Sequence, residues 1–156
     1  MAYYGKLDIT DGDVCIGAPL LEKLAALSVA EDVSDDVKHW LQEAATDPAV
    51  LYFGIFHWQT WVGEILLHDI STEMGESLIA FHLFDPHMRG KGIGTRALTL
   101  LVEFVKAETA LRQLVIITSR DNTPSQRIAL KNGFHFAGPS REDPADGMVF
   151  VLDIAR

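Results

Sequence analysis

Three glycines alternate with other residues at Gly90, Gly92 and Gly94, within the stretch DPHMRGKGIGTRAL of residues 85–98. An apolar run typical of a strand precedes them, and a pattern typical of a helix follows. A glycine-rich turn that opens a helix exposes several backbone N–H groups at the positive end of the helix dipole. Because glycine lacks a Cβ atom, an anion can approach this backbone closely. The loop therefore predicts an α/β domain with a phosphate site between a strand and a helix.

The charge distribution also favours an anion site at this loop. The 156 residues carry a formal net charge of −9. Residues 1–88 contain 15 acidic and 3 basic side chains, whereas residues 89–131 contain 8 basic and 3 acidic ones. The negative total argues against electrostatic binding of nucleic acid. An acidic surround favours a second, cationic ligand.

Length and composition indicate one ordinary globular domain over residues 1–156, with 48% hydrophobic and 22% charged residues. No uncharged apolar stretch approaches the roughly 18 residues that a membrane helix needs. The N-terminal residues do not resemble a secretory signal. Cys15 is the single cysteine, which fits a reducing compartment. The histidine spacing suits no metal site. We expect a cytoplasmic protein without a metal and without a membrane contact.

Hydrophobic periodicity predicts two helices before residue 50. Leucines at helical spacing indicate the first, within residues 18–32. The second follows Ser34 as a candidate N-cap, places Val37, Trp40, Leu41 and Ala44 on one face, and ends before Pro48.

Short aromatic and β-branched runs then predict an antiparallel meander of three strands. After the glycine loop we expect a buried helix, a strand buried on both faces, a short helix capped by Asn122 or Thr123, and a final strand. The order β-β-β-α-β-α-β predicts a mixed sheet flanked by helices. The predicted elements lie within residues 50–58, 61–70, 77–85, 94–108, 113–120, 121–134 and 147–155.

Two phosphate ligands remain open on the loop alone. The run from Gly92 to Ala97 matches the dinucleotide fingerprint G-x-G-x-x-[GA], with Asp121 as the following acid. That match would suit an NAD-type oxidoreductase. Against it, the preceding strands form a meander, and only 64 residues follow Gly92.

A second block favours a different ligand. The run from Arg89 to Gly94 resembles the [RQ]-x-x-G-x-[GA] signature of the GCN5-related N-acetyltransferase (GNAT) superfamily. The run from Asn122 to Phe134 resembles the N-x-x-[SA] … K-x-G-F block of the same superfamily, closest to its Rim-type branch of ribosomal-protein N-terminal acetyltransferases. The two blocks occur in the family's order, with a helix and a strand between them.

This resemblance implies a GNAT fold, with a central mixed, mostly antiparallel sheet of about six to seven strands flanked by helices. It also implies acetyl-CoA as co-substrate. Backbone amides of the glycine loop would bind the pyrophosphate, helped by Arg89, Lys91 and Arg96, and the strand before the loop would pair its edge with the pantetheine arm. Arg127 is an alternative to Lys131 at the nucleotide phosphates. The implied binding residues are Leu83, Phe84, Arg89, Gly90, Lys91, Gly92, Ile93, Gly94, Thr95, Asn122, Ser125 and Lys131.

The implied reaction is direct attack of an amine on the thioester, without a covalent enzyme intermediate. The tyrosine that often protonates the leaving thiolate is replaced by Ala129, so Ser125 is the candidate acid. The family's frequent strand glutamate is also missing. Glu64 and Asp143 are therefore the candidate bases, beside a water-relayed proton. His82 could face the acceptor, although a packed or exposed strand histidine is the favoured interpretation.

The acceptor stays open among a protein N-terminal amine, a polyamine and an amino-sugar drug, each of which would suit an acidic face. The missing tyrosine and glutamate keep a non-catalytic CoA-binding module as a second alternative. Many relatives form homodimers, so we list a homodimer among the expected partners.

Overall fold

The computed structural model of the protein describes residues 9–19, residue 29 and residues 31–155. The first predicted helix, within residues 18–32, falls largely outside this part of the chain. The second begins at Glu31, three residues before Ser34, and ends at Thr46 as expected. None of the helices in the described part is long and apolar enough to cross a membrane.

The described residues form three α-helices and one sheet of eight strands, which confirms the mixed α/β class. The sheet order is β1-β2-β3-β4-β5-β6-β8-β7. All neighbours are antiparallel except β5 and β6. The helices are α1 Glu31–Thr46, α2 Ile93–Glu108 and α3 Thr123–Lys131. The strands are β1 Ile9–Asp11, β2 Val14–Gly17, β3 Leu51–His57, β4 Thr60–Ser71, β5 Glu76–Leu83, β6 Gln113–Ser119, β7 His135–Pro139 and β8 Gly147–Asp153.

The strand count is slightly higher than expected. The predicted meander is β3–β5, and the later predicted strands are β6 and β8. The hairpin of β1 and β2 and the edge strand β7 were not predicted. A short 3-10 turn, Pro86–Met88, joins β5 to the glycine loop.

Helices cover both faces of the sheet. Tyr52 and Leu66 pack with Ala44 of α1, and the predicted apolar face of α1 is confirmed. Phe53 and Ile65, the neighbours of Tyr52 and Leu66 along their strands, point to the other face and pack with α2. The sheet thus lies between α1 on one face and α2 on the other.

The prediction that β6 is buried on both faces is wrong. Alternate residues of β6 are buried against the α2 side, among them Leu114 and Ile116. Ile117 points to the opposite face and is 46% exposed. The reason is that α1 packs over the meander at β3–β5, so the apolar run does not indicate a second covered face.

The parallel pair β5 and β6 separates before either strand ends. Their pairing runs from Glu76–Gln113 to Ile79–Ile116. Beyond it, β5 continues for four residues to Leu83 and β6 for three to Ser119. The strands diverge there and leave a gap in the middle of the sheet.

Candidate active site

A cleft of about 670 Å³ lies at this gap, between β5, the glycine loop and α3. Two glycines of the loop adopt left-handed backbone conformations, Gly90 with φ of 76° and Gly92 with φ of 79°. A Cβ atom on either would meet nothing within 4 Å, so the strain of a side chain, and not crowding, favours glycine. Gly92 caps α2 and no side chain accepts from the first turn of the helix. The first N–H groups of α2 therefore suit an anion.

The start of α2 lies close to α3. A Cβ on Gly94 would be 3.0 Å from Ile128 Cδ1, so glycine permits this approach. Asn132 links the two helices. Its Nδ2 donates to the carbonyls of Thr95 and Ile128, and its Oδ1 accepts from Thr99 Oγ1 at 2.7 Å. These contacts fix the walls of the cleft relative to each other.

The start of α3 brings polar groups to the gap. Asn122 caps the helix, because its Oδ1 accepts from the backbone N–H of Ser125 at 3.2 Å. Both residues line the cleft. Ala129, which stands where the resemblance would place a tyrosine, is fully buried in the core and does not line the cleft.

The cleft is basic. Arg89, Arg127 and Lys131 line it, with Asp121 as the acidic residue among the described lining residues. Lys91 is exposed and lies outside the lining.

Arg96 does not add charge to the loop, contrary to the prediction. Its guanidinium reaches back to the hairpin of β1 and β2 and donates to Asp13 Oδ1 at 2.7 Å. This hydrogen bond lowers the pKa of the Asp13 carboxyl below its ordinary value of 3.8 and raises the pKa of Arg96. His57 Nε2 lies 2.7 Å from the other oxygen of Asp13. Arg96 therefore holds the N-terminal hairpin against α2.

A second cavity of about 250 Å³ adjoins the gap on the α1 side. It shares four lining residues with the cleft: Phe81, His82, Asn122 and Ser125. Asp36 and His68 also line it, and none of its described lining residues is Lys or Arg. Burial lowers the pKa of His68 below its ordinary value of 6.5, against the opposing effect of Asp69.

A chain of polar side chains leads from the core to both cavities. Glu64 is 0% exposed, and its Oε1 accepts from Tyr52 Oη at 2.7 Å. Its Oε2 lies 2.9 Å from His82 Nδ1. On the far side of the ring, His82 Nε2 lies 3.5 Å from Asp36 Oδ2. The carboxylate of Glu64 is enclosed, whereas the imidazole beside it is 20% exposed.

The predicted binding residues converge on the cleft, with two exceptions. Lys91 is one of them. Phe84 is the other, because its ring is buried against Trp61 and its backbone N–H donates to Val62. The residues that line the cleft are Leu83, Arg89, Gly90, Gly92, Ile93, Gly94, Thr95, Asn122, Ser125 and Lys131.

The predicted catalytic residues lie in three settings. Ser125 lines both cavities. Glu64 lies behind His82 and lines neither. Asp143 is exposed in the loop between β7 and β8, outside both linings. The sequence alone favoured a packed or exposed strand histidine at His82 over one that faces the acceptor. In the structure, the pairing of β4 with β5 sets His82 directly opposite Glu64.

The family model of the acetyltransferase (GNAT) domain matches residues 25–135, well over half of the chain. The chain belongs to the GNAT acetyltransferase family. It is accordingly an N-acetyltransferase that uses acetyl-CoA and acts on an amine acceptor, as the two sequence blocks predict. The dinucleotide-dependent oxidoreductase and the non-catalytic module gain no support from the comparisons.

Solved acetyltransferases share the fold. RimL, a ribosomal L7/L12 α-N-protein acetyltransferase in complex with coenzyme A, has a TM-score of 0.76 and 16% identity, over 95% of this chain and 98% of that one. The ribosomal-protein-S5-alanine acetyltransferase from Vibrio fischeri has a TM-score of 0.74 and 13% identity, over 95% and 97%.

The microcin C7 self-immunity acetyltransferase MccE, in complex with acetyl-CoA and AMP, has a TM-score of 0.69 and 16% identity, over 92% and 94% of the two chains. The Rim-type resemblance of this GNAT protein is thus confirmed in its fold. No curated protein matches its sequence.

Proposed function

We propose that the enzyme acetylates the primary amine of a cationic small molecule or peptide, which enters through the second cavity. The observation that carries this proposal is the charge contrast across the gap. The cleft has three basic lining residues, Arg89, Arg127 and Lys131, whereas the second cavity has Asp36 and no described Lys or Arg. An anionic co-substrate and a cationic acceptor would each meet complementary charge.

Acetyl-CoA fits the cleft by its chemistry. The pyrophosphate would lie on the N–H groups between Gly90 and Thr95, where left-handed glycines and an uncapped helix start leave room for an anion. Lys131 or Arg127 would meet further phosphate charge. The pantetheine arm would run along Leu83 at the diverging end of β5, as an added strand does. Asn122 would serve both as helix cap and as hydrogen-bond partner of the arm.

Direct transfer is supported by the neighbourhood of the gap. The four residues common to both cavities surround the point where the two substrates would meet. Ser125 is the candidate proton donor to the leaving thiolate. Cys15 lies on β2, outside both linings, which argues against an acetylated cysteine intermediate.

Binding of acetyl-CoA tests the co-substrate half of this proposal. We expect Arg89→Met to weaken binding at least fivefold by titration calorimetry, because a charge-assisted phosphate contact is lost. Arg96→Met is the matched control, because its guanidinium is held by Asp13. Equal weakening in both variants would overturn the assignment of Arg89.

An amine panel with thiol detection tests the acceptor half. Polyamines, amino sugars and dipeptides with a basic second residue should be acetylated at least tenfold faster, as kcat/KM, than taurine or glutamate. Asp36→Asn should reduce that preference. Equal rates for cationic and anionic amines would overturn the proposal of a cationic acceptor. Tight acetyl-CoA binding without turnover of any amine would favour the non-catalytic module.

Three broader expectations remain parts of the proposal: one domain over residues 1–156, a cytoplasmic location and a homodimer. The half-exposed Phe136 on the edge strand β7 is a suitable contact for a second copy. Sedimentation equilibrium of the wild type and of Phe136→Ser distinguishes a dimer through this edge from a monomer.

A further inference from the structure

His82 lies where the two cavities meet, so a base at this position could reach an acceptor amine that attacks acetyl-CoA. Of the four side chains common to the two cavities, it is the one with an imidazole ring, whose nitrogen can accept a proton. An alkylamine has a pKa near ~10.4, so the acceptor must lose a proton before it can attack.

The partners of His82 select one tautomer of its ring. Glu64 has no donor of its own when ionised, so its Oε2 accepts from an Nδ1–H at 2.9 Å. The hydroxyl of Tyr52 donates to Oε1 and completes the enclosure of the carboxylate. With the proton on Nδ1, Nε2 carries a lone pair on the side that faces Asp36 and the cavities.

We propose that His82 is the general base that deprotonates the acceptor amine, and that Glu64 is a positioning residue that fixes its tautomer. This inference rests on the proposed amine acetylation. It revises the role predicted for Glu64, which is too enclosed to reach an acceptor itself. Asp36 holds the incoming ammonium ion near Nε2.

The proton balance is complete with these groups. The ammonium ion gives one proton to His82 Nε2, and the freed amine forms a bond to the acetyl carbonyl carbon. The carbon–sulfur bond breaks, and the thiolate takes a proton from Ser125 Oγ. The second proton that leaves the nitrogen as the amide forms restores the serine hydroxyl. The imidazolium then releases its proton to solvent.

The charged surroundings of His82 suit this role. Carboxylates approach the ring from two elements, Glu64 from β4 and Asp36 from α1, and both would stabilise a transient imidazolium. The basic residues of the cleft belong to the loop and to α3. The other titratable residues that line the two cavities are His68, Arg89, Asp121, Arg127 and Lys131.

The decisive variant is His82→Asn. An asparagine Nδ2–H can take the place of Nδ1–H and keep the buried Glu64 paired, but it offers no base. We expect kcat/KM for the best amine at pH 7 to fall about 100-fold or more. The loss should shrink steadily towards pH 10, where the amine deprotonates without help. His135→Gln, on the exposed part of β7, is the control and should follow the wild type at every pH.

Glu64→Gln tests the tautomer. Its amide can donate to Nδ1 and leave the proton on Nε2, so we expect a comparable loss of kcat with little change in KM. Tyr52→Phe should lower kcat by a smaller factor. Acetyl-CoA affinity, measured calorimetrically, should stay within twofold of the wild type in His82→Asn, Glu64→Gln and Tyr52→Phe. Added imidazole should partly restore His82→Ala.

The outcomes separate this inference from the function on which it rests. A wild type that acetylates no amine overturns both. A wild type that turns over, with a His82→Asn loss below threefold or equal at pH 7 and pH 10, overturns the base alone. If His82→Asn fails to bind acetyl-CoA, the same pH comparison on Glu64→Gln decides, and a pH-independent loss there overturns the inference.

Discussion

The backbone and the hydroxyl of Ser125 have different roles: the backbone caps a helix, and the hydroxyl is a candidate proton donor. The backbone N–H donates to Asn122 and completes the cap of α3. The hydroxyl has no hydrogen-bond partner among the described residues, and Ser125 lines both cavities. A hydroxyl that is unused in the fold at such a point is available to a leaving group.

Ser125→Ala should therefore lower kcat at least tenfold while leaving the melting temperature within about 2 °C, because the cap depends on the backbone of residue 125. Stopped-flow detection of thiol release at saturating acetyl-CoA measures the effect. Thr123→Ala, in the same turn but outside both linings, is the control. Unchanged turnover in Ser125→Ala would remove this hydroxyl from the mechanism.

At the scale of elements, the hairpin of β4 and β5 decides which side chains meet. Near its turn Ser71 pairs with Glu76, and an extra residue in β4 then shifts the register, so that Glu64 pairs with His82. Asp69, with φ of 50°, lies in this bulge. Without the shift Glu64 would lie opposite Leu83, and His82 would point to the other face. Periodicity predicts both strands, but not a one-residue bulge.

The junction of α2 and α3 makes a prediction at the same scale. Asn132→Ala removes hydrogen bonds to both helices and should lower the free energy of unfolding by about 1–3 kcal/mol. It should also raise the KM for acetyl-CoA severalfold, because both helices form the cleft. Thr99→Val removes one of these bonds and should give a smaller change in both quantities. Urea unfolding and initial rates provide the measurements, and a KM unaffected by Asn132→Ala would separate the junction from the cleft.

At the scale of the whole molecule, titratable groups with shifted pKa values link stability to pH. Burial keeps the pKa of His68 below 6.5 in the folded state, so the unfolded chain binds the proton more readily. This contribution to stability is present above pH 6.5 and is lost as the pH falls through the lower, folded pKa. The lowered carboxyl pKa values of Asp13 and Asp85 act in the same direction at still lower pH.

The free energy of unfolding should thus decrease from pH 7.5 to pH 5.5, and His68→Gln should reduce that decrease. Urea unfolding at the two pH values measures it. His135→Gln, at an exposed position, should retain the slope of the wild type. A slope that is identical in His68→Gln and the wild type would mean that other groups carry the acid sensitivity.

Two of the three strands that the sequence did not predict share a physical property. The strands β1 and β7 lie at the two edges of the sheet, and most of their residues are exposed or half-buried. Such strands need no alternation of apolar and polar residues, so hydrophobic periodicity does not predict them. The glycine loop and the cap at Asn122 were predictable because their constraints are local. The hydrogen bond between Arg96 and Asp13 joins residues far apart in the chain, so only the folded structure reveals it.

The unpaired ends of β5 and β6 have an evolutionary consequence. Beyond Ile79 and Ile116 the two strands make no ladder with each other. A substitution that extended the pairing of β5 and β6 would stabilise the folded protein, and it would also close the gap where the substrates are proposed to meet. Selection for thermal robustness and selection for turnover therefore oppose each other here, and stabilising mutations recovered from a library should fall elsewhere in the sheet.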